Sequence, residues 1–218
     1  MTAAPMSRND FMRRMLKPAV FAACLLPFIV MAWDALHGGL NANPISDLTN
    51  RTGLWSLRLL LVTLAVTPLR RLFGWNWLMP LRRTLGLYAF FYGVLHLVIY
   101  WVLNQTLELA LILGDVKRPY IIAGYLSLVL MVPLAITSTN AMMRRLGRRW
   151  QTLHRLVYAV AVLGVLHYLL LVKIDFRPPI MYGVLFGVLL AYRLGAFLRR
   201  RWVNAGPAQG LWQRSEKT

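Results

Sequence analysis

Six apolar stretches, separated by short loops rich in arginine, constrain this sequence more than any other feature. Each approaches the roughly 20 residues that an α-helix needs to cross a lipid bilayer. We place them at residues 18–37, 53–69, 85–104, 119–138, 152–172 and 178–198. Of the 218 residues, 58% are hydrophobic and only 15% are charged, which is typical of a polytopic membrane protein. The sequence therefore predicts an all-α integral membrane protein, built as a bundle of six transmembrane helices with lipid around it.

The basic residues are distributed unequally between the loops on the two sides of this predicted bundle. One side holds 17 Lys and Arg residues, in the clusters 8–17, 70–83, 144–149 and 199–217, whereas the other side holds five. Cytoplasmic loops carry the excess of Lys and Arg, so we expect both termini to be cytoplasmic. The net charge of +18 is explained by this topology and gives no reason to expect a nucleic-acid partner.

The chain is predicted to be one domain, residues 1–218, with a membrane core at 18–200 and a short polar cytoplasmic tail at 204–218. No loop is long enough to fold alone, and no glycine pattern of a nucleotide-binding domain is present. Cys24 is the single cysteine, which excludes disulfides, iron–sulfur clusters and Cys-ligated zinc within this chain.

Three of the four histidines lie inside the apolar stretches, where an ionisable side chain is costly and indicates function. His96 lies about 11 residues into the third stretch, roughly 17 Å from its basic end, and His167 about 15 residues into the fifth, roughly 22 Å. Both stretches run in the same direction, so the two imidazoles are expected at similar depth in the outer half. Imidazole is a common haem ligand, and two of them would bind opposite faces of one haem.

His154 is 13 residues before His167, which corresponds to about 20 Å and a rotation of about 140° on an ideal helix. It should therefore belong to a separate inner site. On the third stretch the corresponding depth is occupied by Arg82 and Arg83, not by histidine. An inner haem held by His154, alone or with an arginine, and an inner flavin or quinone contact all remain open.

Three further arginines are placed near the predicted sites. Arg58 lies in the outer part of the second stretch and would bind a haem propionate or snorkel to the headgroups. Arg155 would bind an inner propionate, a flavin phosphate or lipid headgroups. Arg193, near the basic end of the sixth stretch, is expected to snorkel.

Four segments also carry a resemblance to a known family, covering roughly residues 50–175. They are RTGLWSLRLLLVTLAVTPLRR (51–71), RRTLGLYAFFYGVLHLVIYW (82–101), KRPYIIAGYLSLVLMVPLAITS (117–138) and LGRRWQTLHRLVYAVAVLGVLHYLLLVK (146–173). The chain resembles the haem-binding membrane subunits of bacterial periplasmic protein-methionine-sulfoxide reductase systems, the MsrQ (YedZ) family. That family is part of the ferric-reductase-like transmembrane group.

The resemblance implies a multi-pass cytochrome b of the bacterial inner membrane. It would take electrons from the quinone pool or from a cytosolic flavin reductase. It would pass them to a periplasmic molybdopterin subunit that reduces methionine sulfoxide in oxidised proteins. The family's haem ligands map onto His96, His154 and His167, and FMN is also implied. Related oxidases and ferric reductases carry two histidines on each of two helices, whereas the third stretch here has one. The number of haems is thus one or two.

The sequence leaves two other functions open. The nearer alternative is a membrane ferric or quinone reductase that works without a periplasmic partner. The other is a cofactor-free transporter or assembly factor, with the histidines as proton relays or packing groups. Such proteins more often show paired acidic residues in their spans, and Asp34 is the one acidic residue in the six stretches.

Overall fold

The computed structural model describes residues 15–205, and within that range every regular element is a helix. The α-helices are α1 Lys17–His37, α2 Pro44–Phe73, α3 Leu81–Ile99, α4 Leu109–Asp115, α5 Pro119–Ile136, α6 Asn140–Leu146, α7 Arg148–Leu153, α8 Leu156–Leu171 and α9 Arg177–Ala205. A 3₁₀ turn, Asn76–Leu78, follows α2, and a π-helical turn, Tyr100–Asn104, follows α3. Most of the predicted tail, from residue 206 onward, lies outside the described residues, as does the first basic cluster before residue 15.

Six helical segments are long and apolar enough to cross a membrane, which confirms the predicted number. They are Lys17–His37, Pro44–Phe73, Leu81–Asn104, Pro119–Ile136, Arg148–Leu171 and Arg177–Arg199. Together they make the chain a multi-pass membrane protein of the all-α class.

Helix α2 begins nine residues before the predicted start of the second span, at residue 53. Asn43 caps it, because its Oδ1 accepts from the backbone N–H of Ser46 at 3.1 Å, and Pro44 fits the first turn without a lost hydrogen bond. The 30 residues correspond to about 45 Å of helix, which is more than the roughly 30 Å of hydrocarbon. The polar first turns therefore extend beyond the bilayer, where hydropathy alone gives no helix signal.

The extension of α2 is tied to the end of α1 by ion pairs. Arg51 Nη1 lies 2.7 Å from Asp34 Oδ2, and Arg51 Nη2 lies 2.9 Å from Asp47 Oδ2. Helix α1 ends just beyond this point, at Gly38, whose φ of 73° is accessible to glycine at little cost.

Two helical hairpins form the centre of the bundle: α2 packs most extensively on α3, and α5 on α8. Leu64, Ala89, Val160 and Ala161 are fully buried where the hairpins meet. At one end of the bundle the first turns of α3 and α6 are joined, since Arg83 Nη1 donates to Asn140 Oδ1 at 2.8 Å. We call this end, which holds residues 70–83 and 137–149, the basic side, and the other end the far side.

The two hairpins are copies of one pattern, a repeat that the sequence reasoning missed. A shift of 71 residues carries GLWSL at 53–57 onto GYLSL at 124–128, and GVLH at 93–96 onto GVLH at 164–167. The contacts repeat as well: Ser56 Oγ donates to Ala89 O at 2.8 Å, and Ser127 Oγ donates to Val160 O at 3.1 Å. Within each pair the two residues are 33 positions apart.

Contacts between the hairpins are reciprocal. Gly93 of the first hairpin faces Leu128 of the second, and Gly164 of the second faces Leu57 of the first. Such exchange of equivalent contacts is the mark of a two-fold relation. Because α2 and α5 run in the same direction, the pseudo-two-fold axis lies along the helices.

Candidate functional site

His96 lies in the last turn of α3, towards the far side, and its ring contacts the start of α2. Its Nδ1 lies 2.8 Å from the backbone carbonyl of Thr49. A carbonyl can only accept, so Nδ1 carries the hydrogen and donates it. In the neutral ring this leaves Nε2 with a free lone pair, the form that binds a metal.

His167 is held in the same way in the second hairpin. Its Nδ1 donates to the carbonyl of Tyr120, at the start of α5, over 2.6 Å. In both hairpins the histidine follows the carbonyl residue by 47 positions, so this hydrogen bond is a further part of the repeat. A backbone carbonyl on the second ring nitrogen is the usual means of orienting a metal-binding histidine.

The structure brings the two rings together on the pseudo-two-fold axis. Their centres are 6.0 Å apart and their planes meet at 82°. An imidazole nitrogen binds a transition metal at about 2 Å, and the ring centre lies about 1 Å behind it, so two imidazoles sharing one ion have centres roughly 6 Å apart. The separation of the two ring centres is therefore that of two imidazoles on one ion.

Protein side chains alone offer little to a bare metal ion. Within the described residues no group of three or more His, Cys, Asp or Glu side chains could hold one. Two imidazoles facing each other suit an ion whose remaining ligands come from a macrocycle such as haem.

A cavity of about 390 Å³ opens on the basic side, away from the histidine pair. Arg71, Arg82, Arg155 and Arg193 line it together with His154, and none of the described residues that line it is acidic. Four guanidinium groups without a carboxylate favour an anionic ligand. Three predicted site residues, His154, Arg82 and Arg155, therefore meet here, apart from His96 and His167.

His154 occupies a break between two helices, which corrects one step of the sequence reasoning. Helix α7 ends at Leu153, α8 begins at Leu156, and the Arg155 N–H bonds three residues back, to Thr152 O at 3.2 Å. The rotation of 140° from His167 assumed one continuous ideal helix and was wrong in that respect. The break instead stacks the His154 ring on Trp150, with ring centres 3.9 Å apart.

The repeat shows what stands opposite His154. The shift that carries His96 onto His167 carries Arg83 onto His154, so the equivalent inner position of the first hairpin is an arginine. Arg83 bonds Asn140 at the start of α6, whereas its neighbour Arg82 lines the cavity. The inner site is thus one place where the two hairpins differ.

Arg58 lies between α2 and α9, outside both groups of residues. Its Nε donates to Tyr182 Oη at 2.9 Å, and its guanidinium carbon lies 5.1 Å from the centre of the Trp55 ring. These contacts hold the side chain against helix α9. That Arg58 binds a haem propionate stays a prediction.

Arg193 was expected to snorkel, and this was wrong. Its Nη1 donates to Tyr158 Oη at 2.5 Å and its Nη2 to Leu64 O at 2.6 Å, so the group is turned inward. Its Nε is buried without a hydrogen-bond partner among the described residues. The position of an arginine along a helix does not reveal which way its side chain turns. The sequence therefore did not predict that Arg193 lines the cavity.

The sequence is similar to those of known proteins over most of its length. Residues 52–165 match the family described as "Ferric reductase like transmembrane component". A protein of Rhodospirillum rubrum named "Protein-methionine-sulfoxide reductase heme-binding subunit MsrQ" is 50% identical over 192 residues, 87% of this chain and 92% of its own length. A protein of Bordetella pertussis with the same name is 47% identical over 204 residues, 92% of this chain and 98% of its own length. A third, from Herminiimonas arsenicoxydans, is 50% identical over 184 residues.

Proposed function

Because this chain belongs to the MsrQ family of haem-binding subunits, within the ferric-reductase-like transmembrane group, we propose that it is an electron conduit. It passes electrons across the bacterial inner membrane to a methionine-sulfoxide reductase. The observation that carries this proposal is the pair His96 and His167, whose ring centres are 6.0 Å apart on the axis between two equivalent hairpins.

His96 and His167 would hold haem b through Nε2, while the carbonyls of Thr49 and Tyr120 keep each ring in the required tautomer. Bound haem supplies a reversible one-electron couple. With two imidazoles no position on the iron stays open for a substrate. The residues therefore serve transfer of electrons, and the reduction of a substrate takes place elsewhere.

The arginine-lined cavity on the basic side holds a second, anionic redox group. The negatively charged part of this group would be a haem propionate or the phosphate of FMN. Either would accept hydrogen bonds from the guanidinium groups of Arg82, Arg155 and Arg193. With haem in the cavity, His154 would supply one imidazole ligand and Arg82 a cationic partner. The family resemblance implies both groups, and cofactor analysis distinguishes them.

Electrons enter at the basic side and leave at the far side. The positive-inside rule places the basic loops and both termini in the cytoplasm. The donor is the quinone pool or a cytosolic flavin reductase, which would deliver electrons to the cavity. The acceptor is a periplasmic molybdopterin subunit that repairs methionine sulfoxide. The names of the relatives support the methionine-sulfoxide reductase as the destination, since each describes the haem-binding subunit of a protein-methionine-sulfoxide reductase.

Reconstitution tests the direction and the partner. Proteoliposomes with a quinol donor and the soluble periplasmic subunit should reduce methionine sulfoxide only when this protein is present. The His37→Ala variant is a matched control, since His37 is exposed at the end of α1, where it bonds and stacks on Trp33 of the same helix. Rapid turnover of ferric chelates without the soluble subunit would instead favour the stand-alone ferric or quinone reductase.

Cofactor analysis tests the cavity. Haem is counted per protein by the pyridine haemochromogen assay, and flavin by fluorescence after acid release. His154→Ala and Arg82→Gln should each lower the second cofactor several-fold and leave the first haem in place. If neither variant changes the content of haem or flavin, the cavity holds no redox group.

A further inference from the structure

Each ring of the histidine pair is enclosed by two features of one neighbouring helix. For His96 these are the Thr49 carbonyl and, one turn later in α2, the bare Cα of Gly53. A Cβ built on Gly53 would lie 3.1 Å from His96 Nδ1 and 3.2 Å from its Cε1. Such distances are shorter than ordinary van der Waals contact, so the ring lies directly against the glycine.

The second hairpin repeats this arrangement more tightly. Gly124 follows Tyr120 by one turn of α5, as Gly53 follows Thr49 in α2. A Cβ on Gly124 would lie 2.8 Å from His167 Nδ1 and 3.0 Å from its Cε1. A methyl group cannot fit there unless the imidazole moves away.

The carbonyl and the glycine constrain different motions of the ring. The hydrogen bond fixes which nitrogen faces the helix, and the bare Cα lets the ring come close enough to make that bond. Gly164, by contrast, precedes His167 on the same helix, and its added Cβ would meet only Leu57 and Ser127 at 3.5 and 3.8 Å. Gly53 and Gly124 thus pack directly against an imidazole, whereas Gly164 does not.

We propose that Gly53 and Gly124 are positioning residues that set the orientation and basicity of the two axial imidazoles. The proposal rests on the proposed function, because it takes His96 and His167 as haem ligands. An Nδ1–H donated to a carbonyl makes an imidazole a stronger ligand, and this favours the ferric state. Displacing the ring from the carbonyl should weaken the ligand and raise the midpoint potential.

Glycine-to-alanine variants provide the test. Gly124→Ala and Gly53→Ala are compared with Gly164→Ala, in the same bundle, and with Gly187→Ala in α9, where an added Cβ meets nothing within 4 Å. Alanine favours a helix over glycine, so the controls should fold at least as well as the wild type. The readouts are haem content, the ferric low-spin EPR spectrum, the midpoint potential, and CO binding by the reduced protein.

We expect Gly124→Ala to change the EPR spectrum, raise the midpoint potential and allow CO to bind, because a displaced ring leaves the iron five-coordinate. Gly53→Ala should show a smaller change in the same direction, as its clash is milder. Both controls should match the wild type. The proposal is overturned if Gly53→Ala and Gly124→Ala both match the wild type. It is also overturned if Gly164→Ala and Gly187→Ala show shifts as large as theirs.

The wild-type spectrum separates this proposal from the one on which it rests. A wild type without a low-spin, bis-imidazole spectrum contradicts the proposed function itself. A normal wild-type spectrum with an unaltered Gly53→Ala and Gly124→Ala contradicts only the role of the glycines. If size-exclusion chromatography shows that Gly124→Ala does not fold, Gly53→Ala, whose added Cβ clashes less, tests the role of the glycines instead.

Discussion

The hydroxyl of Tyr92 bonds two backbone groups of helix α1, and its removal should measurably destabilise the bundle. Tyr92 is fully buried on α3, one turn before His96. Its Oη donates to Cys24 O at 2.8 Å and accepts from Phe28 N at 3.0 Å. Pro27 lies in the same turn and has no N–H to donate to the carbonyl of Ala23, four residues earlier, so the helix is already one backbone hydrogen bond short here. Removal of the hydroxyl takes a further partner from Phe28 N and from Cys24 O.

The size of the effect follows from those two bonds. An interhelical hydrogen bond in a membrane protein contributes about 0.6 kcal/mol, and up to about 1.7. The buried N–H and C=O left behind in Tyr92→Phe cost about 1–3 kcal/mol if nothing replaces the hydroxyl. We expect the free energy of unfolding to fall by about 2 kcal/mol, which is roughly 30-fold in the folding equilibrium.

Unfolding by SDS titration in mixed micelles measures the change. Tyr88→Phe is the matched control, because Tyr88 lies one turn earlier, is only 8% exposed, and its hydroxyl has no hydrogen-bond partner among the described residues. Equal stability of Tyr92→Phe and Tyr88→Phe would refute the reasoning about these two hydrogen bonds.

Three smaller predictions concern other contacts. Arg193→Met should lower the affinity of the basic-side cavity for its anionic cofactor several-fold, seen as lost cofactor on purification, whereas Arg199→Met at the exposed end of α9 should not. Ser127→Ala should reduce the free energy of unfolding by about 0.6 kcal/mol, whereas Ser138→Ala, whose hydroxyl bonds within its own helix end, should cost less. Asp34→Asn should cost at most about 1 kcal/mol, and the loss should disappear in high salt, because Arg51 and Asp34 are both partly exposed.

The sequence predicted those features that depend on local chemistry. Apolar length located the spans, and the rarity of histidine in hydrocarbon singled out His96 and His167. Depth then paired them, because α3 is regular up to His96 and α8 is regular from Leu156 through His167. The structure places the two rings side by side, as the depth argument required.

Features that depend on irregular backbone or on a distant neighbour were not predicted. The break at His154 invalidated rotation on an ideal helix, and the inward turn of Arg193 depends on Tyr158 and Leu64. The 71-residue repeat was detectable, however, since GVLH occurs twice in the chain. A search for internal repeats would have found it, and would have placed Arg83 opposite His154.

Haem content of the single histidine variants tests the central claim most directly. The measurement is the haem-to-protein ratio together with the ferric EPR spectrum, for wild type, His96→Ala, His167→Ala and His37→Ala. We predict that His96→Ala and His167→Ala each lose the same low-spin component, because one iron needs both imidazoles, and that His37→Ala retains it. Retention of that component at full occupancy in either His96→Ala or His167→Ala would contradict the account.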